Sequence, residues 1–195
     1  MTRFIGIDPS TKTGILAMNP EGTVLFGRDI VGKGKVDPER LITLVREVME
    51  HIQDGDIVSI EGFSFGSKGQ FIGQQFYIGW AIRANLFARN IPYYEVAPMS
   101  LKKFAGATGN KDGNGDAIKS DKIEVAKQVL KRWGFESGSD NVTDAYVLAR
   151  ISEAIWLRQS HRPEFILSSY PKFQEEVIDT VLKVKVPAKK KAKSS

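Results

Sequence analysis

The sequence predicts an α/β fold in which helices flank a mixed five-stranded sheet. Three short runs rich in β-forming residues open the chain, and turn-forming residues at 19–22 separate the second run from the third. Beyond them, short apolar runs typical of strands alternate with segments whose apolar residues recur at helical spacing. Leading strands followed by alternating strands and helices are typical of a mixed sheet whose later strands are parallel.

The five strands are predicted from short apolar and β-branched runs that end at turn residues. They cover residues 3–8, 14–18, 23–30, 56–61 and 91–96. The turn Asn19-Pro20-Glu21-Gly22 favours an antiparallel meander of the first three strands. The fourth and fifth strands each follow a predicted helix, so we expect both to run parallel to a neighbour.

The six helices are predicted from apolar residues at helical spacing. They cover residues 38–52, 70–89, 100–104, 119–133, 140–158 and 170–182. Asp37 is predicted as the N-cap of the first helix, with Pro38 in its first turn. The segment 106–116 is rich in Gly, Asn, Asp and Lys, and it is long enough to be a functional or mobile loop.

Length and composition predict one domain. The chain has 195 residues, of which 42% are hydrophobic, enough for one packed core. We expect that domain over residues 1–182 and a basic, disordered tail over residues 183–195. The absence of cysteine excludes disulfides and thiolate zinc sites and is typical of a reducing compartment. With no signal-peptide pattern and no long apolar span in the sequence, we expect a cytoplasmic protein.

The positive charge of the chain is confined to its tail. Of 28 Lys and Arg residues, six lie in the tail, namely Lys183, Lys185, Lys189, Lys190, Lys191 and Lys193. The remaining 22 basic residues face 23 acidic ones, so the domain itself is nearly neutral. Such a tail either attracts nucleic acid through counterion release or acts as a solubilising end.

Two acidic residues lie where predicted strands end. Asp8 closes the first strand and Glu61 closes the fourth. The two carboxylates converge if these strands are neighbours, and a buried acid at a sheet edge needs a cation or partner. Alternatively, Asp8 caps the following Asp-Pro turn and Glu61 is exposed just beyond its strand.

Two further acids stand four residues apart at the start of the helix predicted over 140–158. This spacing places Asp140 and Asp144 on one helix face, where like charges repel unless a cation lies between them. Asp140 is also a good N-cap residue, which offers a structural alternative. Asp144 interrupts an apolar stretch and is less easily explained as structural.

Carboxylates without cysteine favour Mg²⁺, or Mn²⁺ in its place, over zinc. Two such ions could activate water and stabilise the leaving oxygen of a phosphodiester. His51 and His161 lie beside none of these acids, so we expect them to be surface or packing residues.

Taken together, the motifs resemble the RuvC-like Holliday-junction resolvases of the RNase H-like superfamily, over about residues 3–155. The matching segments are Phe4-Ile5-Gly6-Ile7-Asp8-Pro9-Ser10 through Gly14, Val58-Ser59-Ile60-Glu61, Val96-Ala97-Pro98 with Leu101-Lys102-Lys103, and Asp144-Ala145-Tyr146-Val147-Leu148-Ala149. The resemblance implies a RuvC-type fold and a homodimer that binds four-way or other branched DNA and cuts phosphodiesters with metal-activated water. It implies that Asp8, Glu61 and Asp144 are catalytic metal ligands.

The fourth ligand departs from the family pattern. The family often has its penultimate acid three residues before the last, where this chain has Asn141. We therefore assign Asp140, one residue earlier, as the fourth catalytic metal ligand.

The resemblance also implies basic residues near the scissile phosphate. Lys102, with its neighbour Lys103, and Lys122 lie in the matching contexts, although an ordinary solvated lysine is the alternative for each. Phe63 or Phe65 is suited to stack on an unpaired base at a junction centre, and core packing is the alternative. Lys111, in the loop with Asn114, is predicted to follow the DNA backbone.

Other functions remain open at this point. The Asp8–Gly14 stretch also resembles the phosphate loop of actin-like ATPases, but the chain is too short for their second lobe. A nuclease acting on RNA–DNA hybrids would have the same fold and metal site, and a binding module without catalysis is a third possibility. The apolar helix over 70–89 is either a buried core helix or a dimer contact.

Overall fold

The computed structural model describes residues 2–63, 72–109, 121–160 and 170–183. Its strands are β1 Phe4–Asp8, β2 Thr13–Met18, β3 Val24–Ile30, β4 Ile57–Glu61 and β5 Tyr93–Val96. The helices in these ranges are α1 Glu39–Glu50, α2 Ile72–Ala88, α3 Pro98–Ala105, α4 Lys122–Trp133, α5 Asp140–Gln159 and α6 Lys172–Lys183. The element order is the one predicted.

One mixed sheet has the strand order β3-β2-β1-β4-β5, which confirms the predicted five-stranded architecture. The first three strands pair in antiparallel fashion, and β1, β4 and β5 run parallel. The register of β1 on β4 places Ile7 opposite Ile60. Consequently, the residues that follow them, Asp8 and Glu61, lie side by side at the carboxyl edge of the sheet.

Helices cover both faces of the sheet, and successive residues of β1 point to opposite faces. Ile5 and Ile7 pack with α1 and α2, where Leu44, Val48, Ile78 and Ile82 are buried. Phe4 lies on the opposite face with α3, α4, α5 and α6, where Phe104, Val129, Leu148 and Ile178 are buried. This coverage explains why β1 is a continuous apolar run, as expected of a strand buried on both faces.

Helix α5 lies directly against the sheet because two glycines leave room for its backbone. A Cβ atom added at Gly6 would lie 1.8 Å from the carbonyl oxygen of Ala145. A Cβ atom at Gly14 would lie 2.1 Å from the carbonyl oxygen of Asn141. The Ser152 hydroxyl adds a hydrogen bond to the carbonyl of Ile5 at 3.2 Å. The first turns of α5 are thereby held next to the ends of β1 and β2.

The largest differences from prediction concern helix ends. Helix α1 begins at Glu39, so Pro38 occupies the N-cap position and no side chain caps the helix. Asp37 instead accepts a hydrogen bond from Arg40 at 3.2 Å, so its predicted role as N-cap was wrong. Helix α3 starts at Pro98, two residues before its predicted start, and helix α4 starts at Lys122, three residues after its predicted start. Within the described ranges, no helix combines the length and hydrophobicity needed to cross a membrane.

Substituting Gly6 by alanine tests the close approach of α5. The added methyl would overlap the α5 backbone, so we expect a loss of about 3 kcal/mol in unfolding free energy, at the upper end of overpacking costs. Gly73→Ala is the control, because a Cβ there meets nothing within 4 Å and alanine favours the helix by about 0.5–1 kcal/mol. Urea denaturation measures both variants, and a Gly6→Ala protein as stable as the wild type would contradict the packing described.

Candidate metal centre

Asp8 and Glu61 form a hydrogen-bonded carboxyl pair at the ends of β1 and β4. Asp8 is only 8% exposed, and burial followed by the neighbouring charge of Glu61 raises its pKa well above the usual value. Burial also raises the pKa of Glu61, although the hydrogen bond from Asp8 opposes that rise. Two carboxyl groups hydrogen-bond to each other only when one of them is protonated, and burial of both groups favours that protonation.

Asp144 completes the cluster from the first turns of α5. Its neighbour Ala145 is the residue whose carbonyl lies over Gly6, so the close packing of α5 brings Asp144 to the end of β1. Burial, followed by the charge of Asp8, raises the pKa of Asp144 to about 7. The charge of Asp144 in turn raises the pKa of Glu61. We refer to Asp8, Glu61 and Asp144 as the acid cluster.

Two lysines predicted to lie near a scissile phosphate are beside the acid cluster. The charge of Lys122, at the start of α4, lowers the pKa of all three acids. The charge of Lys102, on α3, lowers the pKa of Glu61 and Asp144. The structure therefore places positive charge on the side of the cluster formed by α3 and α4.

Asp140 lies near the cluster but is paired with a lysine. It forms an ion pair with Lys122, and the hydrogen bond from that ammonium lowers the pKa of Asp140. Its alternative role as N-cap was wrong, because Ser139 occupies that position and its side chain accepts from the amide of Val142. Asp140 is the first residue of α5.

Asn141, which stands where the family has an acid, faces the loop between β1 and β2. Its side-chain amide donates to the carbonyl of Lys12 at 2.8 Å. The Ser139 hydroxyl donates to Asp29 at 2.8 Å, and Asp29 also pairs with Lys12 at 3.0 Å. These contacts fix the N-terminus of α5 on the antiparallel strands and so fix the position of Asp144.

Sequence reasoning missed Arg83, which supports the end of β4. This side chain is 1% exposed, and it donates to the carbonyl of Glu61 at 2.9 Å and to the carboxylate of Glu95 at 2.7 Å. A third hydrogen bond reaches the carbonyl of Gly79 at 2.9 Å. The available signal was an arginine within an apolar helix, followed by an acid in the next strand. Arg83 therefore holds the backbone of an acid-cluster residue.

Phe63 packs on α2 rather than standing apart. Its ring stacks on Phe76 with a centroid distance of 4.8 Å, and Trp80 lies at 5.4 Å. The guanidinium of Arg83 lies 4.5 Å from the same ring. The packing alternative is therefore observed, while base stacking by Phe63 stays a prediction.

The remaining predicted site residues lie away from the acid cluster or outside the described ranges. Lys103 forms an ion pair with Glu176 at 2.6 Å, which joins α3 to α6. His51 bonds the carbonyl of Glu47 through Nδ1 at 2.7 Å and packs against Phe26, consistent with the packing role expected. The residues outside the described ranges are Phe65, Lys111, His161 and residues 184–195.

The donor set of the acid cluster fits a hard divalent cation. All of its side-chain donors are carboxylate oxygens, which Mg²⁺ and Mn²⁺ prefer. Within the described ranges, no three Asp, Glu or His side chains are arranged so that they could already hold a metal ion. The interaction between Asp8 and Glu61 engages carboxyl oxygens that a cation would bind. A cation would replace the shared proton and neutralise the buried charge.

Asp8 and Glu61 thus stand at adjacent strand ends of a mixed α/β sheet. No family model and no curated protein sequence matches the chain. Among solved structures, Thermus thermophilus RuvC in complex with a Holliday junction substrate matches with a TM-score of 0.61 and 20% identity. The match covers 82% of this chain and 96% of that one.

A second structure, of RuvC from the same organism, gives the same TM-score of 0.61 with 22% identity. It covers 81% of this chain and 96% of the other. The chain thus has the RuvC-like fold that its motifs predicted.

Raised carboxyl pKa values predict a distinctive pH dependence of stability in EDTA. Because the folded state holds protons that the unfolded state releases, the unfolding free energy should fall as pH rises from about 4 to about 7. Asparagine cannot ionise, so Asp144→Asn should be more stable than the wild type at about pH 8, by roughly 2–4 kcal/mol.

Thermal and urea denaturation across this pH range measure the effect. Asp140→Asn is the matched control, because the pKa of Asp140 is lowered and its removal should bring no such gain. Identical pH profiles for the wild type and Asp144→Asn would show that Asp144 is not buried as described.

Arg83→Met tests the support of Glu61. Removing the guanidinium leaves buried carbonyls and the Glu95 carboxylate without their donor, so we expect a loss of about 3 kcal/mol in unfolding free energy. Arg83→Lys keeps the charge but not the fork of donors and should lose less. Equal losses in the two variants, measured by urea denaturation, would rule out a contribution from the retained charge.

Proposed function

We propose that this protein is a divalent-metal-dependent endonuclease that hydrolyses phosphodiester bonds in branched DNA, with four-way Holliday junctions as its main substrate. The observation that carries the proposal is the acid cluster at the carboxyl edge of a RuvC-like sheet, with Lys102 and Lys122 beside it. The proposed setting is DNA recombination or repair in the cytoplasm.

In this proposal, Asp8, Glu61 and Asp144 hold Mg²⁺, with Mn²⁺ able to substitute. Ions of this kind, when bound in a pair, activate water and stabilise the leaving oxygen. Buried carboxylates at fixed strand ends suit this task, because β1 and β4 hold them in register and α5 cannot move away without losing its packing on Gly6.

The lysines supply the positive charge that a phosphodiester needs. Three acids alone would repel a DNA backbone, whereas Lys102 and Lys122 partly offset that charge at the cluster. We propose that both contact phosphates at the cleavage site. Lys103, Lys111 and the basic tail over 183–195 are proposed to contact the backbone farther away, and their attraction should weaken as salt increases.

A dimer of this chain would suit a four-way junction, because a dimer and a four-way junction are each two-fold symmetric and two strands of the junction must be cut. Helix α2 supports a dimer: it buries Ile78, Ile82 and Leu86, yet it exposes Tyr77 and Trp80 on another face. Phe63 and Phe65 follow Glu61 closely in sequence, so either ring could stack on a base near the cleaved phosphate.

A cleavage assay with defined substrates tests the function. Purified protein is incubated with labelled four-way junction, linear duplex, single-stranded DNA and RNA–DNA hybrid, in Mg²⁺ or EDTA. We expect Mg²⁺-dependent cutting of the junction. Asp8→Asn should cut at least about a hundredfold more slowly while still binding, since metal-assisted stabilisation is worth several kcal/mol. Asp54→Asn, which alters an exposed turn acid, should cut normally.

Each other outcome identifies a different function. Cutting of the hybrid alone would indicate a ribonuclease, and binding to the junction without cutting any substrate would indicate a module without catalysis. Full activity in Asp8→Asn would contradict the proposed role of the acid cluster.

A further inference from the structure

We propose that Asp140 is a positioning residue rather than a metal ligand: it holds the ammonium of Lys122 beside the acid cluster and keeps it off the ligand oxygens. This inference rests on the proposed function, because it concerns access of the cation to Asp8, Glu61 and Asp144. It replaces the role of fourth metal ligand that the family resemblance led us to assign to Asp140.

The Asp140 carboxylate is engaged at the exposed start of α5. Its side chain is 47% exposed, in contrast to the 8% exposure of Asp8. Its carboxylate accepts from Lys122, and the backbone amides at positions 140 and 141, at the start of α5, help to lower its pKa. Because Ser139 caps the helix, Asp140 is not needed for that task. The carboxylate is thus directed to the helix start and to Lys122, on the exposed rim of the cluster.

Lys122 interacts with Asp140 on one side and with the acid cluster on the other. It is the first residue of α4, whose N-cap Asp121 accepts from the amide of Glu124 at 3.1 Å. Its side chain is 62% exposed, so the ammonium has room to turn. Its charge lowers the pKa of every member of the acid cluster, so Lys122 interacts with the cluster as well as with Asp140.

The Lys122 ammonium and a metal ion would compete for the same carboxylate oxygens of the acid cluster. An ammonium beside a carboxylate satisfies the negative charge that would otherwise attract Mg²⁺. With Asp140 present, Lys122 has a partner at the rim and the cluster stays open to a cation. Without Asp140, Lys122 is left with the negative charge of the acid cluster as its partner, and metal affinity falls.

A ligand and a positioning residue therefore differ in whether their effect requires Lys122. Removing a ligand weakens metal binding whatever residue occupies position 122. Removing a positioning residue weakens metal binding only while the lysine is present. A double-mutant cycle between Asp140→Asn and Lys122→Met separates the two, because methionine keeps the aliphatic stem and lacks the charge.

The experiment measures Mn²⁺ binding to the full chain by electron paramagnetic resonance, for the wild type, both single variants and the double variant. Far-ultraviolet circular dichroism and thermal melting check that each variant is folded. We expect Asp140→Asn to weaken Mn²⁺ binding about threefold to tenfold when Lys122 is present. In the Lys122→Met background, the same substitution should leave the affinity unchanged within about twofold.

Three outcomes would contradict the positioning role of Asp140. Equal losses in both Lys122 backgrounds would establish Asp140 as a ligand and overturn the positioning role alone. No loss with Lys122 present would overturn it as well. A wild-type chain that binds no Mn²⁺ would overturn the proposed metal site, and this role with it.

Discussion

The contact between α5 and the sheet is the constraint on which the rest of the site depends. A helix backbone can lie this close to a strand only where the strand has no side chain, and Gly6 and Gly14 provide those positions. Because Asp144 precedes the residue that lies over Gly6, the same contact decides how far it stands from Asp8. The geometry of the cluster thus follows from packing in the core and not from attraction among the acids.

The electrostatics of the site oppose that packing. Burial raises the pKa of each member of the acid cluster, so the fold holds groups that would be more favourable in water. Several independent contacts hold these acids in place. They are the register of β1 on β4, the hydrogen bond of Asn141 to Lys12 at the start of α5 and the hydrogen bond of Arg83 to the backbone of Glu61. Buried carboxyl groups can be kept at such a cost only when the surrounding packing fixes them in place.

The sequence predicted the architecture because its signals were local and repeated. Apolar runs that end in an acid gave β1 and β4, and helical spacing gave the helices that cover the sheet. The meeting of Asp8 and Glu61 followed once these strands were neighbours. Local signals failed where a residue's partner lies far along the chain. Lys103 pairs with Glu176, which lies 73 residues away on another helix and leaves no local pattern in the sequence.

Arg83 connects helix α2 to strands β4 and β5. The same guanidinium contacts the carbonyl that ends β4, the Glu95 carboxylate of β5, the Gly79 carbonyl of α2 and the face of Phe63. One buried side chain therefore connects the aromatic side of α2 to the backbone of Glu61 and to β5. A substitution that disturbs the packing of Phe63 or Gly79 on Arg83 would therefore bear on the position of Glu61, although neither residue is acidic.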